Sequence, residues 1–343
     1  MSGMVKFGIL GCGVVADYHA KAIQSIGEAT LCGVADQSTD RAEAFAGQYG
    51  VKAYRSYMEM LADPEIDAVC ICTPSGMHAQ NALEALAAGK HVVVEKPMAL
   101  NTADADKMIR ACHESGKLLT VICQLRFSKG VNRLRELLKE QAFGTIGLCD
   151  LDMKYWRSPE YYEKSPWKGT VKMDGGGALM NQGIHGVDAL LYILGDAKLL
   201  SARVKTVYHK IEVEDTAVAT LEFENGALGV IEASTCTNPG CGRRLMISGS
   251  NGSAILREGV IEKLVIGDQV LVNEAPIGNC NTASSPTNMT HLLHTRQITN
   301  FVNAIQGKEA LLIDANEGRR AVALIEGIYQ KSIEDERKGG EMA

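Results

Sequence analysis

Residues 5–16 read VKFGILGCGVVA and decide the fold of this chain. The first six are mostly apolar and predict a buried strand, and the glycines that follow predict a tight turn into a helix. Gly11 permits the turn, Gly13 lets the backbone approach a bound group, and Ala16 keeps the helix close to the strand. The N-terminus of such a helix offers backbone N–H groups and a positive dipole end to phosphates.

An acidic residue follows the next strand-like run, as expected of a dinucleotide-binding unit. Asp36 ends this run and lies about 20 residues beyond the glycines, where a carboxylate accepts hydrogen bonds from adenosine ribose hydroxyls. The same charge repels a 2′-phosphate, so NAD is predicted as the cofactor in preference to NADP. Arg41, one helical turn further on, is interpreted as a solvated helix residue. The candidate cofactor contacts in this unit are Gly11, Cys12, Gly13, Val14, Val15 and Asp36.

A second motif, Glu95-Lys96-Pro97, follows four residues that predict a strand buried on both faces of a parallel sheet. Ligands in such sheets bind just beyond the carboxyl ends of the strands, so a Glu-Lys pair there is well placed for chemistry. Proline forces Lys96 into an extended conformation and so directs its side chain. From these residues alone, a strand that ends at a surface turn is the alternative.

Strand-like and helix-like segments alternate over the first third of the chain, which predicts a doubly wound parallel sheet. Thr73, Pro74 and His78 follow another strand end and are expected to flank the nicotinamide ribose. A structural histidine is an equal alternative for His78. Further along, β-branched runs joined by Asn225-Gly226 and by Asn251-Gly252 predict hairpins of a second, mainly antiparallel sheet, and residues 276–289 are polar and loop-like.

The composition limits the class of protein. The 343 residues are 46% hydrophobic and 22% charged, which is typical of a globular chain, and the net charge of −6 without a basic block argues against nucleic-acid binding. No apolar run is long enough to cross a membrane, and the first strand starts too early for a signal peptide, so a cytoplasmic location is expected. Ten cysteines without a CxxC pair predict buried thiols, with neither disulfides nor a metal site.

A predicted helix from about residue 178 to residue 194 carries three polar side chains on one face. Asn181, His185 and Asp188 fall at positions i, i+4 and i+7. A lone histidine on such a face is more often a core residue, but in this helix an amide and a carboxylate flank the ring and can orient it. With an ordinary pKa of about 6.5, His185 is suited to accept a hydroxyl proton. Metal ligation is a weaker alternative because no third ligand is evident.

The loop 157–174 is unusually aromatic, and it is interpreted either as a substrate lid or as a locally packed loop. Lys96, Arg126, Arg157 and Lys168 lie in segments expected to converge, which indicates an anionic substrate that arginine could bind through paired hydrogen bonds. The alternative is that Arg157 and Lys168 point to solvent and that Arg126 braces the cofactor.

Together these motifs resemble the Gfo/Idh/MocA family of oxidoreductases. The resemblance implies an N-terminal NAD-binding Rossmann domain over residues 1–123. It also implies a C-terminal α/β domain over residues 124–343, whose large, mostly antiparallel open sheet mediates homodimers or homotetramers. It implies redox chemistry at a sugar or cyclitol carbon, with Lys96 as a catalytic, substrate-orienting residue and His185 as the acid/base. The matching motifs are Gly11-x-Gly13-x-x-Ala16, Thr73-Pro74-x-x-x-His78, Glu95-Lys96-Pro97 and Gly183-Ile184-His185-x-x-Asp188.

One position departs from the inositol dehydrogenase-like members, which have an aspartate where this chain has Asn181. The run 174–183, DGGGALMNQG, looks more like members that act on nucleotide-linked sugars, and UDP-N-acetylglucosaminuronate 3-dehydrogenases are the nearest such group. That likeness extends to Gln124-x-Arg126-Phe127 and to residues 156–162.

The leading hypothesis is an NAD-dependent oxidoreductase that transfers a hydride between nicotinamide and a secondary alcohol or ketone carbon of an anionic or nucleotide-linked sugar. The alternatives are a dehydrogenase of a free cyclitol or hexose and a non-catalytic NAD-binding regulator, which would be expected to lack Lys96 or His185. The remaining expected cofactor contacts are Thr73, Pro74, His78, Glu95, Lys96 and Gln124. The expected substrate contacts are Lys96, Arg126, Arg157, Trp167, Asn181 and His185.

Overall fold

The computed structural model describes residues 3–274 and 291–341. The predicted polar loop 276–289 lies outside the described residues. The chain divides into two compact units. The first consists of Met1–Gln124 and Thr290–Arg319, and the second of Leu125–Met289 and Arg320–Ala343. The first unit therefore includes a segment from near the C-terminus.

In chain order, the helices and strands of the described residues are β1 (Val5–Leu10), α1 (Val14–Gln24), β2 (Ala29–Ala35), α2 (Thr39–Tyr49), β3 (Lys52–Ala53), α3 (Tyr57–Ala62), β4 (Ala68–Ile71), α4 (His78–Ala87), β5 (His91–Val94), α5 (Thr102–Ser115), β6 (Leu119–Val121), α6 (Lys129–Lys139), β7 (Ile146–Lys154), α7 (Pro159–Glu163), α8 (Ile184–Leu194), β8 (Ala197–Lys205), β9 (Thr216–Phe223), β10 (Leu228–Ser234), β11 (Gly242–Gly249), β12 (Gly252–Arg257), β13 (Val260–Ile266), β14 (Gln269–Asn273), α9 (Leu292–Ile305) and α10 (Ala315–Glu341).

The first unit contains the predicted doubly wound sheet. Its strand order is β3-β2-β1-β4-β5-β6, and every neighbouring pair is parallel. The order reverses between β1 and β4, which is where such sheets bind ligands beyond their carboxyl ends. β4 is buried along its whole length and β5 along its last three residues, as expected of strands covered on both faces.

Local sequence signals explain how the helices of this unit begin and pack. Ala16 is fully buried, which confirms the tight helix–strand packing predicted from the glycine-rich turn. The side chain of Asn101 accepts a hydrogen bond from the backbone N–H of Asp104 at 2.8 Å and so caps α5. Ile298, Phe301 and Val302 of α9 belong to the same hydrophobic core as α1 and β1.

The second unit contains an eight-stranded sheet with the order β14-β13-β12-β11-β7-β10-β9-β8. All of its pairs are antiparallel except β7 with β10, so the mostly antiparallel prediction is confirmed. Gly226 has a φ of 83° in the turn between β9 and β10, as the hairpin signal requires. Among the described residues, no helix combines the length and apolar character needed to span a membrane.

Candidate active site

The glycine-rich turn between β1 and α1 is shaped to admit a bound group. Gly11 has a φ of 90°, and a Cβ there would lie 2.7 Å from the carbonyl oxygen of Cys72, so another residue would be strained. A Cβ on Gly13 would meet nothing within 4 Å, because this position faces open space at the start of α1. The turn thus fits the pyrophosphate of a dinucleotide, which would lie against the N-terminus of α1.

Asp36 closes the same region from the end of β2. Its Oδ2 accepts the backbone N–H of Cys12 at 2.8 Å, and its Oδ1 accepts that of Ser38 at 2.8 Å. The side chain of Arg41 is 64% exposed, as predicted for a solvated helix residue. It also pairs with Asp36, because its Nη2 lies 2.7 Å from Oδ1 of that carboxylate. Burial acts to raise the pKa of Asp36, and hydrogen bonds from Arg41, Cys12 and Ser38 outweigh it, so the net shift is downward. The carboxylate is therefore charged and oriented for a ribose.

The end of β4 is fixed by His78, which is 1% exposed. Its Nε2 lies 2.8 Å from the carbonyl oxygen of Thr73, and its Nδ1 lies 2.7 Å from that of Pro97. Burial lowers the pKa of His78, and this effect outweighs the opposite effect of the hydrogen bonds to the two carbonyls. The ring is therefore neutral at pH 7. A neutral ring has one N–H, so His78 donates to only one of the two carbonyl oxygens. His78 thus connects two strand ends, while Thr73 and Pro74 beside it are half-buried.

Glu95, Lys96 and Pro97 follow β5 as predicted, and the Lys96–Pro97 peptide bond is cis. Lys96 is half-buried. The carboxylate of Glu95 points inward, with Oε1 2.8 Å from Nε2 of His19 and Oε2 accepting the backbone N–H of Lys96 at 3.2 Å. His294 of α9 is the third buried member of this cluster, with Nε2 3.9 Å from the same Oε1.

Two further predicted contacts, Gln124 and Arg126, have different surroundings. Gln124 is buried and ends the first stretch of the first unit, and its Oε1 has no hydrogen-bond partner among the described residues. This oxygen can accept a hydrogen bond from a bound group. Arg126 of the second unit is fully enclosed, and its Nη2 and Nε lie 2.7 Å and 3.0 Å from the two oxygens of Asp188. This buried ion pair uses the carboxylate that was predicted to orient His185.

The segment before His185 differs from the single α-helix that was predicted. Residues Ala178–Gly183 are π-helical, and α8 begins only at Ile184. Glu214 holds the start of this segment, because its two oxygens accept the backbone N–H groups of Gly177 at 3.0 Å and Leu179 at 2.8 Å. A Cβ on Gly177 would lie 2.0 Å from the backbone oxygen of Glu214, so the position requires glycine. His185 follows in the first turn of α8 and is half-buried.

Asn181 lies within the π-helical turn and is tied to the start of the same segment. Its Nδ2 donates to Oδ1 of Asp174 at 2.6 Å, and the other oxygen of Asp174 accepts the backbone N–H of Gly169 at 2.8 Å. The amide at residue 181 therefore neighbours a buried carboxylate. A second carboxylate at this position would be repelled by Asp174.

The alternative that Arg157 points to solvent is wrong, because this side chain is buried. Its Nη2 donates to Oε1 of Gln182 at 2.7 Å, its Nη1 donates to the carbonyl of Trp156 at 3.0 Å, and its guanidinium lies 5.3 Å from the ring centre of Tyr161. Nζ of Lys168 lies 3.8 Å from the same ring centre. Trp167, in the same loop, is half-buried. The aromatic loop thus brings two cations onto one tyrosine.

Two residues of this geometry were missed from the sequence. His19 lies three positions beyond Ala16 on the apolar face of α1, and a histidine on such a face was a usable signal. Glu214 lies 37 residues from Gly177, and the sequence offers no pattern that pairs them.

Comparisons with known proteins agree with these features. A family model described as oxidoreductase family, NAD-binding Rossmann fold, matches residues 5–123, and a model of the GFO/IDH/MocA C-terminal domain matches residues 131–255. Myo-inositol 2-dehydrogenase of Thermotoga maritima is 28% identical, with 97% of both chains covered. Trans-1,2-dihydrobenzene-1,2-diol dehydrogenase of Mus musculus is 30% identical, with 78% of both chains covered.

Solved structures give the same result. The WlbA dehydrogenase of Bordetella pertussis, in complex with NADH and UDP-GlcNAcA, superposes with a TM-score of 0.85 and is 30% identical, with 96% of both chains covered. The WlbA dehydrogenase of Chromobacterium violaceum, with the same two ligands, has a TM-score of 0.85 and 28% identity over 97% of this chain and 94% of the other.

Proposed function

Because the chain belongs to the GFO/IDH/MocA oxidoreductase family and is an NAD-binding dehydrogenase that acts on CH–OH groups, we propose that its substrate is an anionic, nucleotide-linked sugar. The reaction interconverts a secondary alcohol and a ketone. Bound NAD supplies the hydride acceptor in the oxidative direction. The chain supplies a binding site, an orientation for the reacting hydroxyl and a route for its proton.

In this proposal Lys96 and His185 divide the work at the reacting hydroxyl. The ammonium of Lys96 hydrogen-bonds the hydroxyl oxygen and stabilises the negative charge that develops there. His185 accepts the hydroxyl proton as the C–H bond breaks, and returns it in the reverse direction. Support comes from the placement of Lys96 directly beyond the carboxyl end of β5, and from the position of His185 in the first turn of α8.

The pair of Asp174 and Asn181 is the observation that favours an anionic substrate. An amide at residue 181 satisfies Asp174 at 2.6 Å without adding a second negative charge. An aspartate there, as in inositol dehydrogenase-like relatives, would repel a carboxylate or phosphate of the substrate. The buried guanidinium of Arg157, held by Gln182, adds a positive charge beside the same segment. The likeness to WlbA structures that contain UDP-GlcNAcA supports the same substrate class.

A second candidate substrate is a free cyclitol, because the likeness to the inositol dehydrogenase of Thermotoga maritima covers nearly the whole chain. A substrate panel distinguishes the two. Purified protein and NAD are mixed with UDP-linked uronates, neutral UDP-sugars, myo-inositol and free hexoses, and NADH formation is followed by absorbance. We expect kcat/KM to be highest for a UDP-linked uronate, and Asn181→Asp to lower that value more than the value for any neutral sugar. Reduction of NAD by a free cyclitol, with none by any charged sugar, would refute the proposal.

We also propose that the second sheet joins copies of this chain, with the cytoplasm as the site of action. Leu148 and Leu228 are exposed apolar side chains that lie opposite each other on the adjacent strands β7 and β10. Such a patch on a sheet is a typical subunit contact. Light scattering should give the mass of a dimer or tetramer, and Leu228→Glu should lower it. A monomeric wild-type protein at micromolar concentration would contradict this proposal, and cell fractionation tests the location.

A further inference from the structure

A buried histidine of α1 contacts the carboxylate that precedes Lys96. His19 is fully buried, and its Nε2 lies 2.8 Å from Oε1 of Glu95. The other oxygen, Oε2, accepts the backbone N–H of Lys96 at 3.2 Å. Both oxygens of Glu95 are therefore engaged, and together they connect α1 to the main chain of Lys96.

The charges of this cluster are consistent with an ion pair. Burial acts to raise the pKa of Glu95, but the hydrogen bond and charge of His19 outweigh it and lower the pKa to about 2. Burial acts to lower the pKa of His19, but the net shift is upward, well above its ordinary value. His294 differs, because burial lowers its pKa to about 4 and leaves its ring neutral.

We propose that His19 is a positioning residue for Lys96, acting through the carboxylate of Glu95. By holding Glu95, His19 fixes the main chain from which the Lys96 side chain extends. The same helix begins at the glycine-rich turn, so one rigid element carries both the cofactor-binding turn and the contact that orients the lysine. This inference rests on the proposed catalytic role of Lys96.

Metal binding is the competing explanation for the same side chains. Within residues 3–274 and 291–341, His19, Glu95 and His294 form the one group of three potential ligands whose donor atoms all lie within 4.8 Å of one another. However, each oxygen of Glu95 already lies at hydrogen-bond distance from a nitrogen, and a proton on Nε2 of His19 would occupy the place of a metal. The ion pair thus accounts for the cluster without an ion.

Two substitutions of His19 and one matched control test the proposal. His19→Leu removes the donor, and it should lower kcat roughly 10- to 10²-fold, the scale for a displaced catalytic group. His19→Gln retains a donor and should recover most of that loss, while the Kd of NADH should stay within about threefold in both variants. The control is His91→Leu, because His91 accepts the N–H of Leu118 in the same sheet without contacting Glu95. It should reduce stability and leave kcat near the wild-type value.

The pH profile separates positioning from a general loss of structure. The groups that face Glu95 are His19, His294, His78, Lys96 and Cys72. His78 and His294 are neutral at pH 7, and burial raises the pKa of Cys72 to about 11. Without His19, burial raises the pKa of Glu95, so His19→Leu and His19→Gln should lose kcat as the pH falls through that raised value. Wild-type kcat should not titrate with Glu95 above its pKa of about 2.

The outcomes are distinguishable. An unchanged kcat in His19→Leu, or an equal loss in His91→Leu, would overturn the proposal, as would a stoichiometric metal whose removal abolishes activity. If wild type turns over no UDP-linked sugar, the proposed function fails independently. In that case the nitrogen chemical shifts of His19 decide, because the proposal requires a proton on Nε2, the nitrogen that faces Glu95, and a ring that carries its only proton on Nδ1 would refute it. The same measurement serves if His19→Leu does not fold.

Discussion

The strand end at Lys96 is held mainly by two buried histidines, whereas the helix start before His185 is held by carboxylates alone. Around Lys96 the ring nitrogens of His19 and His78 face oxygens, namely the Glu95 carboxylate and the carbonyls of Thr73 and Pro97. Before His185 the partners are carboxylates. Glu214 accepts two backbone N–H groups, and Asp174 accepts a backbone N–H and an amide.

The difference follows from what each backbone leaves unpaired. Beyond the end of a buried strand, carbonyl oxygens leave the hydrogen-bond ladder and need donors, which a buried histidine can supply. The first N–H groups of a helix have no partner within the helix and need acceptors, which a buried carboxylate supplies. In both regions an unpaired buried group would cost about 1–3 kcal/mol. Substitutions that reverse donor and acceptor therefore test the comparison.

The largest expected effect concerns the buried ion pair between Arg126 and Asp188 of α8, the helix that contains His185. Arg126→Leu leaves the Asp188 carboxylate buried without its partner and should lower the free energy of unfolding by about 3–5 kcal/mol. Urea unfolding followed by circular dichroism measures this. The double variant Arg126→Leu with Asp188→Leu should recover most of the loss, because no charge then remains buried. A single variant as stable as wild type would show that the pair does not anchor α8.

The next effect concerns Lys96 and His185, the two side chains proposed to be catalytic. Lys96→Ala and His185→Ala should each lower kcat roughly 10²-fold or more, the usual scale for loss of an acid/base group. The Kd of NAD should change little in His185→Ala. Lys107→Ala and His113→Ala are matched controls, since both side chains are exposed on α5. Near wild-type turnover on the true substrate in either catalytic variant would remove that residue from the mechanism.

A smaller effect is expected from Glu214→Gln, which exchanges an acceptor for a donor. The new amide N–H₂ must face Gly177, Leu179 or the hydroxyl of Tyr329, each of which now donates to Glu214. We expect a loss of about 1–3 kcal/mol in unfolding free energy, as for one unsatisfied buried group. Glu212→Gln is the control, because its carboxylate accepts only the exposed N–H of Val171 among the hydrogen bonds of the described residues. Equal stability of the two variants would contradict the assigned role of Glu214.

The smallest expected effect is on cofactor choice. The ionised Asp36 should make NAD(H) bind at least about tenfold more tightly than NADP(H), or about 1.4 kcal/mol. Calorimetric titration of both cofactors measures the ratio. Arg41→Ala should increase it, because the guanidinium beside Asp36 is the nearby cation that a 2′-phosphate could bind. Equal affinities for the two cofactors in the wild-type protein would refute the assignment of Asp36.

The features that follow from local sequence could be predicted, and those that join distant segments could not. The turn at Gly11 and Gly13 and the parallel sheet follow from short motifs and from the alternation of strand-like and helix-like segments, and both are confirmed. The pairing of Arg41 with Asp36 spans only five residues but was missed, because helix periodicity does not indicate where an exposed side chain folds back.

Long-range contacts explain the remaining differences. Gln297 of α9 donates to the carbonyl of Val121 at 2.6 Å and accepts the N–H of Cys123 at 3.1 Å. These bonds join α9 to the end of β6, although Gln297 and Val121 are separated by more than half of the sequence. The start of the π-helical turn before α8 is likewise held by Glu214, a residue of the strand region that follows. No periodicity in residues 178–194 reveals that contact, so a regular helix was the only prediction available from sequence.

Lys96 and His185 are proposed to act on one hydroxyl of the substrate. The most direct test measures kcat with a UDP-linked uronate and NAD for Lys96→Ala, His185→Ala and the double variant. Groups that act together in one step are strongly non-additive. The double variant should therefore turn over about as fast as the slower single variant. If the two losses instead multiply, the residues act independently and the claim is contradicted.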